Sequence, residues 1–278
     1  MHEPKENLDA LRREIDEIDT ALHDLIMRRA SVVEHIAATK GRPASSAMRP
    51  GREAEILRRL AARHGGPFPR AALLRIWREL IASLTAMQGP YAIAVYADGA
   101  DQGCWDLARD HFGSHTDIAA FRSPLDVLAR VADGKATQGV LPYPDAQSAA
   151  WWARLGGVDA PRIVQYLPFA EPGNARGEGL RALVLARVAP EPTGNDRTLL
   201  LVETAGATAR NAVDAMLARA GVNGRAVASQ TTAPFLTLVD AEGFLGETDA
   251  GLVALAAQDG VRRIATVGAY PVPLAPER

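Results

Sequence analysis

Arg29, Lys40, Glu53 and Gln88 stand where helical periodicity asks for apolar residues. In "LRREIDEIDTALHDLIMRRASVVEHIAATKG", and from Leu8 just before it, Leu8, Leu11, Ile15, Ile18, Leu22 and Leu25 recur in steps of three and four. Those steps mark one buried helical stripe. The next position on the stripe is Arg29; it resumes at Val32 and Ile36, and Lys40 follows one turn later. Glu53 shares a helix face with Ile56, Leu57 and Leu60, and Gln88 shares one with Trp77, Ile81 and Leu84. Taken singly, an arginine in a seam snorkels or pairs with an acid at its edge, and a lysine in a last turn complements the helix dipole. Three helices interrupted in the same way point elsewhere. Buried charges are costly unless paired or met by a ligand, so the pattern predicts a polar pocket inside a helical bundle.

Spacing refines the pocket. Arg29 and Lys40 lie roughly 16 Å apart along a helix axis, within reach of one small anion held between two long side chains. Arg12 lies roughly 25 Å further back. The first helix is too long to be covered by the two short helices that follow. A second copy would bury it, and in an antiparallel dimer Arg12 of one chain reaches the Arg29/Lys40 pocket of the other.

These residues sit on three predicted helices: 6–40, one starting near Arg52, and one over about 70–88 with Leu73, Trp77, Leu80, Leu84 and Met87 on its apolar face. "GRPASSAMRPG" and "RHGGPFPR" break the chain between them. At "GPYAIAVY" the period changes to a β-type run. Strand, helix, strand, helix, strand then follow through "QGVLPYP", a βαβαβ pattern that favours a parallel sheet. "LRALVLARV" is a further strand and "APEPTGND" a linker. The remainder reads βαββαβ, the split ferredoxin-like order. The expected organisation is multidomain: an all-α helical dimer domain over 1–89, an α/β lobe over 90–190, and an α+β ferredoxin-like domain over 191–278.

Composition sets outer limits. With 47% apolar and 23% charged residues the chain has material for real cores. A net charge of −2 argues against a general nucleic-acid binder. No apolar run has the length of a membrane span. The acid-rich start predicts neither a secretory nor a transit peptide. The single Cys104 excludes an intramolecular disulfide. Together these features lead us to expect a cytoplasmic protein that meets no membrane.

"LDALRREIDEIDTALHDLIMRRASVVEHIAATKG", "RPGREAEILRRL" and "IWRELIASLTAMQ" together resemble the all-helical chorismate mutase domain, over nearly all of residues 6–88. The resemblance implies an intertwined homodimer with two sites and no metal or cofactor. It implies that Arg29, Lys40 and the partner's Arg12 bind the two carboxylates of chorismate. Lys40 and Gln88 would hydrogen-bond the ether oxygen, and Glu53 would hold the ring hydroxyl. Arg49 and Arg52 complete the expected substrate-binding set. Arg49 is a departure, since the family usually carries an acid there; Leu84 is another, standing where the family usually has serine.

The C-terminal part resembles a prephenate dehydratase followed by an ACT domain. "GVLPYPDA" resembles the segment that normally reads Pro-Ile-Glu-Asn-Ser, with Pro144, Asp145 and Ala146 in place of the last three. "GLRALVLARV" resembles the Thr-Arg-Phe strand, with Leu180 in place of threonine and Arg181 kept. Only about 35 residues separate the two segments, too few for a second lobe. We therefore expect a degenerate single lobe without dehydratase activity. "AGATARNAV" and "ASQTTAP" replace the motifs that bind phenylalanine in ACT domains. Asp98, Gly99 and Gly103 read as a plain βα turn, since no GxGxxG or Walker pattern is present. The six histidines show no metal spacing. Cys104 reads as a packed small residue, and Trp151 and Trp152 as core or interface. Two alternatives to a mutase fit the same scaffold: an isochorismate-pyruvate lyase, and a non-catalytic ligand sensor in aromatic amino-acid biosynthesis.

Overall fold

In the computed structural model, residues 3–40, 48–99, 102–145, 150–170, 173, 176 and 179–275 are described, without the side chains of 3–6 and 40. Three helices come first: α1 (Glu3–Lys40), α2 (Pro50–Arg63) and α3 (Arg70–Ala86). Then follow β1 (Ala92–Tyr96), α4 (Gly103–Phe112), β2 (Asp117–Phe121), α5 (Pro124–Ala132), β3 (Gln138–Pro142), a 3₁₀ turn at Trp151–Gly156, β4 (Arg162–Leu167) and β5 (Ala182–Ala186). The last part is β6 (Asp196–Thr204), α6 (Arg210–Arg219), β7 (Gly224–Gln230), β8 (Phe235–Glu242), α7 (Ala250–Ala256) and β9 (Val261–Pro271). The molecule is multidomain in architecture, a helical N-terminal region followed by a large mixed α/β region.

All nine strands form one sheet in the order β2-β1-β3-β5-β4-β9-β6-β8-β7. The parallel pairing expected of the βαβαβ run is present: β1 lies parallel to both β2 and β3. β5 runs antiparallel between β3 and β4. Every residue of β5, "ALVLA", is buried, as suits a strand covered on both faces. The order β9-β6-β8-β7 is the antiparallel ferredoxin-like arrangement. β4, absent from the expected elements, joins the two halves through the pair Ile163↔Gly268. Gly268 has φ +151°, and a Cβ there would run into the backbone of Ile163. Only glycine lets these two strands approach so closely.

Two cores extend on opposite sides of the lobe, and a third lies under α6 and α7. Trp151, Trp152, Leu183 and Leu199 belong to one cluster that crosses the junction between the lobe and the ferredoxin-like half. Ile93, Val95, Cys104, Leu107 and Phe112 form another beneath α4. Leu200, Val213, Leu217 and Leu255 close the third.

The helical region differs from expectation in which faces it buries. α3 buries Leu74, Arg78, Ile81, Ala82, Leu84 and Thr85, whereas Leu73, Trp77 and Leu80 are half-buried and Met87 is exposed. The face is turned by one residue because α3 packs on α4. Arg75 pairs with Asp110 at 2.7 Å, and the Glu79 carboxylate accepts hydrogen bonds from Ser114 and His115 backbone N–H groups. α2 lies against β4 and β9, and its Arg58 donates to the carbonyls of Asn195 and Val272. In the single chain the α1 stripe is open to solvent: Leu11, Ile15, Ile18, Leu22 and Leu25 each keep half or more of their surface exposed.

Candidate active site

Of the residues that interrupt the helical seams, Arg29 sits as the sequence suggests. It is half-buried midway along α1, with its guanidinium 5.6 Å from the centre of the Trp77 ring of α3. Its Nη1 is buried without a hydrogen-bond partner. Burial lowers its pKa, although a guanidinium stays charged throughout the physiological range. A half-desolvated cation with an unmet donor is suited to an anionic ligand.

The other expected residues are engaged differently. Gln88, just beyond the end of α3, turns its amide Nε2 back onto the Leu84 carbonyl at 3.0 Å. Arg12 is exposed and pairs with Asp9 one turn earlier. Arg52 is exposed and pairs with Glu55. Arg49 reaches across to Glu191 with bonds of 3.0 Å from Nη2; the positive charge that departs from the family pattern is therefore matched within the chain. The side chain of Lys40, and the whole of Ala146, lie outside the described residues. Leu84, where the resemblance expects serine, is buried. In one chain, then, Arg29 and Trp77 come together, while Arg12 lies toward the other end of α1.

Glu53 points inward from α2, as its spacing indicates, and meets a partner that the sequence reading missed. Arg78 Nη1 donates to Glu53 Oε2 at 3.0 Å, and the two side chains are only 7% and 12% exposed. Gln165 of β4, nearby, helps to draw the Glu53 pKa down. The Gln165 carbonyl oxygen in turn accepts from His111 Nε2 of α4 at 3.0 Å, fully buried. Burial pushes the Glu53 carboxyl up, and Arg78 and Gln165 draw it back. Burial and the nearby Arg78 hold the His111 imidazole well below its usual range, so it is neutral. Arg78 was legible by the signal that exposed Arg29: it stands four residues after Leu74 and three before Ile81 on the buried stripe. His111 follows Leu107 by four on the buried face of α4. Gln165 lies in the strand that periodicity did not reveal.

Arg29 on α1 and Glu53 on α2 thus both turn a charge inward, Arg29 half-buried against Trp77 and Glu53 paired with Arg78. Comparison with known proteins agrees with the helical pattern. Residues 11–89 match the chorismate mutase type II family. A bifunctional chorismate mutase/prephenate dehydratase of Pseudomonas aeruginosa is 28% identical over 151 residues, 52% of this chain and 41% of the relative. The protein of the same name from Stutzerimonas stutzeri is 30% identical, with the same shares covered. The chain thus spans about two fifths of the length of these relatives. A prephenate dehydratase of Arthrobacter aurescens, solved with L-Phe, superimposes with a TM-score of 0.45 at 15% identity, covering 65% of this chain and 90% of that one. Beyond residues 11–89, the strands β1, β2 and β3 and the ferredoxin-like half follow the element order that the periodicity predicts.

Proposed function

We propose that this chain is a chorismate mutase that works as a homodimer. The observation that carries the reading is the family match over 11–89; the unmet, half-buried guanidinium of Arg29 on the matched seam supports it. Chorismate becomes prephenate by a Claisen rearrangement in which one C–O bond breaks as one C–C bond forms. No nucleophile is required. The task is to clamp a dianion in a compact reactive shape and to aim donors at the ether oxygen as it gains negative charge. Arg29, Lys40 and the partner's Arg12 clamp the carboxylates. Lys40 and Gln88 address the ether oxygen, for which the Gln88 amide leaves the Leu84 carbonyl. Glu53 accepts from the ring hydroxyl.

The exposed stripe of α1 supports the dimer. A row of leucines and isoleucines that long is costly in water, and a second copy running antiparallel would cover it. The α/β lobe carries no dehydratase chemistry in this reading. Leu180 stands where a threonine is needed, Pro144 replaces glutamate, and a turn and one strand occupy the described part of the interval between the two motifs. Among the described residues no helix is long and apolar enough to cross a membrane. The shared site is tested by mixing chains. Arg12→Ala and Arg29→Ala homodimers should each be inactive, and refolding them together should restore about one intact site per heterodimer. Absence of recovery would refute the two-chain site.

A further inference from the structure

A cavity of about 640 Å³ opens where the lobe meets the ferredoxin-like half. We propose that it is a binding site for a small aromatic carboxylate, whose charged end meets Arg181 and Arg225 and whose ring lies against a wall of tyrosines. Neither Arg29, Glu53 nor Gln88 lines it, so the inference does not depend on the mutase reading above.

Strand register brings the charges together. Tyr270 of β9 stands opposite Arg197 of β6, Arg197 stands opposite Glu242 of β8, and Asp240, two residues before Glu242, stands opposite Arg225 of β7. Opposed residues share a sheet face, as do residues two apart on one strand, so one face carries the whole group. The lobe supplies the other wall. Tyr143 follows β3, Arg181 precedes β5, and the Tyr143 backbone N–H donates to the Arg181 carbonyl at 2.9 Å. Asp240 fixes the floor between the two walls. Its buried Oδ2 accepts from the Tyr143 and Tyr270 hydroxyls at 2.8 and 2.9 Å, and its Oδ1 accepts from Arg197 Nε at 2.6 Å. Burial and this carboxylate raise both phenol pKa values, so the hydroxyls stay protonated and keep donating. The charges of Asp240 and Arg197 therefore cancel within the floor. Glu242 accepts from the Asn223 amide and lies 3.8 Å from Arg197. Arg181 and Arg225 are exposed at the rim, and among the described residues neither is in an ion pair. The lining thus sets three arginines against two acids, and the excess positive charge is a pair of guanidinium forks that suit a carboxylate. Arg181 is held in place, its guanidinium 4.9 Å from the centre of the Tyr143 ring. The rings continue inward: Tyr143 meets Tyr166 edge-on at 5.6 Å, and Tyr166 stacks on Tyr270 at 5.3 Å. Val272 and Leu274 add apolar surface beside them. Such a wall takes a flat apolar ring, and the volume lies in the range of small-molecule sites. The cavity sits where β6 and β7 begin, whereas "AGATARNAV" and "ASQTTAP" lie at the other ends of those strands.

The test uses the full chain and titration calorimetry with cinnamate as the probe, cinnamamide as its uncharged counterpart and inorganic phosphate as a bare anion. Cinnamate should bind once per chain, and cinnamamide and phosphate should each bind at least about tenfold more weakly. Arg181→Gln and Arg225→Gln should each weaken cinnamate about tenfold or more. Arg187→Gln, at the opposite end of β5 from Arg181, should leave it unchanged. Arg29→Ala should also leave it unchanged; a loss there would put the probe in the helical seam and overturn the proposal. No binding at about millimolar cinnamate, equal binding of cinnamamide or phosphate, or full affinity in both glutamine variants would overturn it too. A second readout needs no variant: in the saturated complex, nuclear Overhauser contacts should join the cinnamate ring protons to the rings of Tyr166 and Tyr270. Their absence would place the probe elsewhere and refute the site.

Discussion

A guanidinium half-sunk in an apolar seam gives up hydration without a hydrogen-bond partner for Nη1, and only an incoming anion repays that cost. Arg29→Ala should therefore lower kcat/KM by about 10²–10³, with helicity and oligomeric state unchanged by circular dichroism and sedimentation. Activity within tenfold of wild type would place the anion elsewhere. His111 makes a prediction in stability. The folded chain keeps it neutral, whereas the unfolded imidazole takes up a proton near pH 6.5. The unfolded state then binds more protons, so this contribution is present above about pH 6.5 and is lost as pH falls. Melting curves between about pH 7.5 and 5 should show a steeper loss in wild type than in His111→Asn; parallel curves would contradict a neutral buried His111. At this scale the sequence exposes a residue when a polar side chain breaks an apolar period, as Arg29 and Glu53 do. It hides partners set by tertiary packing: Arg49 finds Glu191 and Arg58 finds Thr193 across more than a hundred residues.

Among the elements, α1 and β4 are the two extremes of legibility. The period of α1 runs through more than thirty residues, so its existence and apolar face are plain. β4 is six residues, "RIVQYL", whose inward Gln165 interrupts the apolar run. The α3 face is intermediate: its helix is evident, but the buried side turns by one residue because α4 rather than α1 covers it. Two predictions belong here. Replacing Ile18 and Leu22 together with lysine should convert a dimer to a monomer in sedimentation, since like charges would then meet along the antiparallel seam; an unchanged dimer would remove α1 from the interface. Gly268→Ala should cost more than about 2 kcal/mol in denaturant unfolding, because the added methyl meets the Ile163 backbone where β4 and β9 join. A neutral result would show that the sheet is not pinned at that pair.

At the scale of the whole molecule, a helical pair, a single α/β lobe and a ferredoxin-like half are packed around one nine-stranded sheet. The order of elements is readable because each period is distinct and most connections are short. Their union into one sheet is not readable, because it depends on β4 and on the close approach at Gly268. Contacts from α2 and α3 tie the helical region to that body, through Arg58, Glu79 and Arg49. The proposed function has this assembly rearrange chorismate and stop at prephenate. The most direct test is to follow chorismate absorbance with purified full-length chain, assaying phenylpyruvate before and after acid. Rapid loss of chorismate, with phenylpyruvate only after acid, is the predicted result. No loss at micromolar protein would contradict the claim and favour a ligand sensor, and phenylpyruvate before acid would show that the lobe retains dehydratase chemistry.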